Sequence, residues 1–315
     1  GAFAPIPMPW RGQLVIPVLS WSAEVPPLAD NVDQAAPGEV ADLLRFAPGN
    51  RFAAVDPSAT PGFSGGKADG KIAQAFDSAV LADLQERLFA RGRVNADSAR
   101  RVLVILQGMD TAGKGGVVRH TFGLLDPQGV QLAAFKAPTK EELSHDFLWR
   151  IRRELPDAGM IGVFDRSHYE DVLVARVDEL VEPEVWRRRY DRINRFEAEL
   201  AASGTVIVKF FLHISPEVQQ ERLVARLDDP GKHWKFDPSD IAARAKWGDY
   251  QQAYTDVLER CNPDIAPWYV IPADHKWYRN WAVAQILLET LRSMNITWPA
   301  VDFDVDEQRH KLLGD

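Results

Sequence analysis

Val102-Leu103-Val104-Ile105-Leu106-Gln107 runs directly into Gly108-Met109-Asp110-Thr111-Ala112-Gly113-Lys114-Gly115-Gly116. A short apolar, β-branched run that ends in glycine reads as a strand buried on both faces, as in a parallel sheet. The glycines let the backbone curl until several N–H groups converge on one point. The helix that follows adds the partial positive charge of its N-terminus there. Lys114 adds a full charge. Such a device holds phosphate. The spacing matches G-x-x-x-x-G-K, with Gly108, Ala112, Gly113, Gly115 and Gly116 as candidate phosphate-binding positions. Gly115 stands where a Ser or Thr usually touches Mg²⁺, and an acidic residue, Asp110, sits inside the loop instead. Lys114 is expected to stand exposed at this loop.

At 315 residues the chain has room for one large α/β core, or for one core and a peripheral segment. No apolar run reaches the roughly 18 residues that span a bilayer. Gly1 to Pro5 show neither a basic n-region nor an apolar h-region, so no signal peptide is expected. The single cysteine, Cys261, excludes an internal disulfide and fits a reducing cytoplasm. A net charge of −8 argues against nucleic-acid and membrane-surface binding. Basic residues still gather in Arg150-Ile151-Arg152-Arg153, in Trp186-Arg187-Arg188-Arg189 and around Lys232 and Lys235. Such strips serve either a polyanion or a solvated helix face.

Residues 1–75, rich in Pro, Gly, Ala and Ser, read as an extended arm on the core, with one helical turn at Asp42-Leu43-Leu44-Arg45. Phe76, Val80, Leu81, Leu84, Leu88 and Phe89 predict a helix over 76–93. Strands are expected at 102–107, 130–135, 160–165, 205–211 and 268–272. Helices are expected at 114–125, 140–154, 168–178, 183–202, 215–228, 238–260 and 276–294. This alternation predicts an α/β fold: a three-layer α/β/α sandwich on a mainly five-stranded parallel sheet. We place that domain at 76–300, a lid at about 220–250 and a C-terminal tail at 301–315.

In such sheets ligands sit beyond the carboxyl ends of the strands. Phe164-Asp165-Arg166-Ser167-His168-Tyr169-Glu170-Asp171 follows the strand over 160–165. Asp165 at the strand tip is placed to ligate Mg²⁺ or orient an acceptor oxygen, and Arg166 to fork onto phosphate. The alternative makes Asp165 the N-cap of the next helix. His168 reads as a capping or packing residue. Beyond the strand over 205–211, Ser215-Pro216 starts a helix that carries Arg222 and Arg226 on one face. It breaks at Asp228-Asp229-Pro230-Gly231 and continues through Lys232, Trp234 and Lys235 to a second helix with Arg244 and Trp247. Two helices with convergent cations read as a lid over phosphates. The alternative is a surface hairpin whose cations pair with Asp228, Asp229 and Asp240. Asp146 and Arg150, four apart, either serve an acceptor nucleotide or pair with each other.

These motifs, with Ala266-Pro267-Trp268 and Pro272-Ala273-Asp274-His275-Lys276-Trp277-Tyr278-Arg279, resemble the polyphosphate kinase 2 family of P-loop kinases from about Leu43 to Trp298. His145 to Arg150 and Ser167 to Leu173 look most like its class III branch. The resemblance implies a P-loop kinase fold and Mg²⁺-dependent, reversible phosphoryl transfer between inorganic polyphosphate and AMP or ADP. Mn²⁺ is an alternative metal and guanine nucleotides are secondary acceptors. It implies that Lys114 and the loop N–H groups hold the phosphoryl group, while Asp110 and Asp165 organise the metal. Arg166, Arg222 and Arg226 would neutralise the migrating charge, and Lys232 and Lys235 would secure the donor. Glu170, where other classes tend to carry Asn, joins Asp146 and Arg150 as a nucleotide-side position. Family members are commonly homodimers or homotetramers. Asp165 and Gly115 depart from the branch, which often has Asn and Asp there. Two other readings are an ATP-dependent nucleoside monophosphate kinase of the thymidylate kinase type and a non-catalytic phosphate-binding protein.

Overall fold

The structure, a computed structural model, describes residues 39–314; the arm expected over 1–38 lies outside them. Helices α1 (Glu39–Leu44) and α2 (Lys67–Val94) precede β1 (Arg101–Gln107) and α3 (Lys114–His120). Next come β2 (Val130–Ala134), α4 (Lys140–Leu143), α5 (Trp149–Arg153), β3 (Ile161–Asp165), α6 (Val174–Val177) and α7 (Pro183–Ala202). The second half runs β4 (Thr205–His213), α8 (Pro216–Leu227), α9 (Ser239–Ala245), α10 (Trp247–Arg260), β5 (Trp268–Pro272), α11 (Lys276–Ser293) and α12 (Val305–Leu313).

The five strands form one parallel sheet in the order β2-β3-β1-β4-β5. β1 is central, with Val104 level with Val163 of β3 and Val208 of β4. Its side chains alternate between two cores. Val102, Val104 and Leu106 pack with Leu81 and Leu88 of α2, Val117 of α3 and Ile286 of α11. Leu103 and Ile105 pack with Ile193 and Phe196 of α7 and Val257 and Leu258 of α10. All five β1 residues have no solvent exposure, and each such burial stabilises the fold by about 1.5–3 kcal/mol. The layers are α, β and α, as expected.

Several elements differ from expectation. The helix predicted over 76–93 starts at Lys67, because Asp69 accepts from the Gly66 N–H at 2.9 Å and caps an earlier first turn. The small buried residues Gly70 and Ala73 of that turn carry no hydrophobic period to read. The described part of the arm lies on the core, with α1 overlapping the turn expected at 42–45: Val40, Leu44, Phe46, Phe52 and Phe63 are buried, and Arg45 bridges antiparallel to Tyr269 on β5. The helices expected over 140–154, 168–178 and 238–260 are each broken into two pieces, the last at Lys246, and the helix expected over 114–125 ends at His120 before a separate 3-10 turn. Within 140–154, the Asp146 carboxylate accepts from the Leu148 N–H at 3.1 Å and turns the chain. The tail contains α12, capped by the Asp304 carboxylate on the Asp306 and Glu307 N–H groups. Among the described residues no helix is long and apolar enough to cross a membrane.

Candidate active site

β1 lies between β3 and β4, so the chain leaves it in opposite directions and a crevice opens at its carboxyl end. The loop 108–113 fills that crevice. Gly113 adopts φ +107°, the left-handed region open to glycine, and starts α3. A Cβ on Gly113 or Gly116 would collide with the Arg279 guanidinium, whereas one on Gly115 would meet nothing. The amide end of α3 is thus open at Gly115 and backed by a cation at Gly113 and Gly116. Lys114, expected to be exposed, is only 9% exposed, because its ammonium folds back to donate to the Gly108 carbonyl at 2.8 Å. Ala112 is fully buried and offers its carbonyl to Arg279 at 3.1 Å.

The turn after β3 faces this loop. Arg166 donates from its backbone to the Leu106 carbonyl at 3.1 Å and from its guanidinium to Asp110 Oδ1 at 3.2 Å. Burial works against its charge, but Glu170, Asp110 and Asp165 outweigh that and raise its pKa. Thr111 and Arg166 both have positive φ, +66° and +65°, a strained choice for residues with a Cβ. Glu170 lies in the field of Arg166, Lys114 and Asp110; burial raises its pKa while the two cations pull it down. Glu170, expected on the nucleotide side, lies beside the phosphate loop. Asp165 caps no helix, because Ser167 accepts from the Tyr169 N–H and takes that role. His168 is fully buried against Glu197.

A second group of cations surrounds the other side of the loop. Arg222 on α8 donates to the carbonyls of Thr111 at 2.9 Å, Ala273 at 2.7 Å and Asp274 at 2.8 Å. It stitches lid, phosphate loop and β5–α11 loop together rather than projecting freely. Arg279 is 3% exposed and donates to Asn280 Oδ1 as well as to Ala112. Burial, then the charge of Arg222, push its pKa down to about 9, still protonated at neutral pH. Burial and the charges of Arg222, Arg279, Lys232 and Lys67 lower the pKa of Lys276.

Sequence reasoning gives Arg279 no role of its own, although a signal is present. Lys276 and Arg279 are cations in the first turn of a helix, where the dipole disfavours them unless an anion arrives. Gln219, fully buried on α8, was also missed; it donates to the Asp110 carbonyl at 3.2 Å.

Other candidates are committed elsewhere. Arg226 pairs with Asp240 at 3.3 Å and donates to the Lys235 carbonyl, and Lys232 pairs with Asp229 at 2.6 Å. These are the pairings of the hairpin alternative. Lys235 lies over the exposed Trp234 ring. Asp146 and Arg150 do not pair with each other: Asp146 meets Arg192 at 2.6 Å, and buried Arg150 donates to the Lys136 carbonyl at 2.8 Å and lies 3.8 Å from Asp171.

Among the described residues no three His, Cys, Asp or Glu side chains are grouped to cage a metal ion. Mg²⁺ does not need such a cage, since one or two carboxylates plus substrate phosphates complete its octahedron. Asp110 and Asp165, both acting on the Arg166 guanidinium, supply two hard oxygen donors beside the loop and fit that mode.

A family model described as Polyphosphate kinase 2 matches residues 71–299. The chain belongs to the polyphosphate kinase 2 family. It is similar to the AMP/ADP-polyphosphate phosphotransferase of Meiothermus ruber, with 46% identity over 257 residues, 81% of this chain and 94% of that protein. The ADP-polyphosphate phosphotransferase of Rhodopseudomonas palustris is 43% identical over 231 residues, 70% of this chain and 78% of that one. The crystal structure of Polyphosphate Kinase 2 from Arthrobacter aurescens TC1 superposes with a TM-score of 0.86 at 51% identity, covering 91% of this chain and 99% of that chain. The P-loop kinase fold expected from the motifs is the fold of this family member.

Proposed function

We propose that this polyphosphate kinase 2 family protein transfers a phosphoryl group reversibly between inorganic polyphosphate and AMP or ADP, since one phosphoanhydride bond breaks in the donor and one forms in the product. The observation that carries the reading is the cation set around one phosphate loop: Lys114, Arg166, Arg222, Arg279 and Lys276 lie in or beside it. That is more positive charge than a single terminal phosphate requires, and it suits a polyanionic donor.

Phosphoryl transfer asks little covalent chemistry of the protein, so positioning and charge neutralisation supply the rate. Lys114 releases the Gly108 carbonyl and turns its ammonium to the transferred group, beside the open N–H groups of α3. Arg166 leaves Asp110 to fork onto the same phosphate. Asp110 and Asp165 would hold Mg²⁺, or Mn²⁺, which when bound neutralises charge on the phosphate oxygens. Arg226, Lys232 and Lys235 would secure the donor once the lid closes and their present contacts open. Asp146 and Arg150 would act on the nucleotide side by fixing the segment before α5.

We also read the protein as cytoplasmic and as a homodimer or homotetramer. Support for the assembly is the exposed apolar surface at the C-terminal end, where Trp298, Val301, Phe303, Leu312 and Leu313 are solvent-facing.

The deciding experiment supplies AMP or ADP with either polyphosphate or ATP as donor. The expected result is turnover with polyphosphate, lost by about 10³-fold or more in Lys114→Ala with the fold retained by circular dichroism. Turnover with ATP alone would favour a monophosphate kinase, and undiminished turnover in Lys114→Ala would remove the loop from the mechanism.

A further inference from the structure

Behind the active site, on the α7 side of the sheet, lies a closed polar network that the reaction itself does not touch. Lys209 on β4 and Glu197 on α7 are both fully buried. Lys209 Nζ donates to Glu197 Oε2 at 2.6 Å, to the Tyr169 hydroxyl at 2.8 Å and to the Cys261 carbonyl at 2.8 Å, which uses all three of its protons. The Tyr169 hydroxyl donates to Glu197 Oε1 at 2.7 Å, and His168 Nε2 meets the same oxygen at 3.1 Å. The carboxylate can only accept, so the His168 proton sits on Nε2, and Nδ1 has no partner.

Stability is a poor reason for this arrangement. Burying an ion pair costs desolvation that its attraction barely repays, and an apolar replacement of equal volume is often neutral. Its position says more. His168 and Tyr169 are the two residues between Ser167, tied at its hydroxyl to the Tyr169 N–H, and Glu170 at the phosphate loop. Gln107 at the end of β1 closes the front: with its amide oriented to satisfy both ends, it donates to Glu170 Oε1 at 2.9 Å and accepts from the Ser167 N–H at 3.2 Å. Arg166, which opens this turn, holds the left-handed φ of +65°. Such strain persists only where the surroundings over-determine the backbone. The Lys209–Glu197 pair meets this turn from behind, at the Tyr169 hydroxyl and His168 Nε2.

We propose that Lys209, Glu197 and Tyr169 are positioning residues for phosphoryl transfer: through the pinned 166–170 turn they hold the Arg166 guanidinium and the Glu170 carboxylate at the phosphate loop. The proposal rests on the phosphoryl-transfer reading above. Tyr169→Phe is the informative variant, because it removes one hydroxyl and leaves Lys209 bonded to Glu197 and to the Cys261 carbonyl.

With polyphosphate and AMP, Tyr169→Phe is expected to lower kcat about tenfold and leave both KM values within about twofold, as for an interaction made only in the transition state. In an Arg166→Ala background the same change is expected to cost less than about twofold, because the two then act as a unit. Hydrogen exchange supplies a reading independent of activity: amides over 163–172 should exchange faster in Tyr169→Phe and in Lys209→Met, with β1 and β4 unchanged. An unchanged kcat, an equal loss in both backgrounds or unaltered exchange over 163–172 would each overturn the proposal. Should the wild type show no transfer at all, the functional reading fails, and exchange alone still decides whether the network fixes the turn.

Discussion

Asp77 sits on α2 facing α11, 7% exposed, with Oδ2 buried and without a hydrogen-bond partner. Burial, only partly offset by Arg292 and reinforced by Glu289, raises its pKa to about 6. The folded protein therefore binds a proton here more tightly than the unfolded chain does. Between the ordinary value of 3.8 and about 6 the native state holds the extra proton, so stability falls as pH rises through that window and stays low above it. Asp77→Asn removes the charge and should stabilise the fold at pH 7 by on the order of 2–3 kcal/mol. Below about pH 4, where both states are protonated, the gain should vanish. Thermal unfolding across pH checks this, and a pH-independent difference between variant and wild type would contradict it.

The three helices around the phosphate loop are coupled by large side chains of α11 seated against glycines of α2 and α3. Arg279 in the first turn of α11 lies against Gly113 and Gly116 of α3, and Trp277 in the same turn lies against Gly70 in the first turn of α2. A Cβ at Gly70 would enter the Trp277 ring. The consequence for Gly70→Ala is overpacking that costs about 1–3 kcal/mol, visible as a lower midpoint in urea or thermal unfolding; an unchanged midpoint would mean that α2 and α11 separate freely there. The lid behaves differently. Arg222 is already bonded to the loop carbonyls, whereas Arg226 and Lys232 rest on carboxylates of the lid itself. Under the proposed function, closure of the lid would trade those pairs for phosphate oxygens.

The whole molecule carries a net charge of −8, yet its phosphate loop is ringed by cations. Repulsion from the bulk charge and attraction by the site oppose each other over distances where salt screens both. A polyanionic donor feels the site far more than a nucleotide monophosphate does. Raising KCl from about 50 mM to about 300 mM should raise KM for polyphosphate about tenfold and KM for AMP by much less. Equal salt sensitivity of the two constants, measured by steady-state kinetics, would argue that the cations do not bind the donor.

Much of this architecture was legible because it follows from local patterns. β-branched runs ending at Gln107 and Asp165 specify buried parallel strands, and the glycine spacing to Lys114 specifies a phosphate loop wherever it folds. The α2 start was hidden because small residues pack there without a hydrophobic period, and the broken helices because side-chain caps override propensity. What only the tertiary structure decided is which charges share a site. Asp146 and Arg150 are four apart yet turn to different partners, while Arg166 and Asp110, far apart in the chain, meet at 3.2 Å. Arg279 reaches Gly113 only because β5 delivers α11 beside α3. A sequence determines its own periodicities and turn chemistry. Electrostatic partnership depends on distance through space, and the sheet order sets that distance.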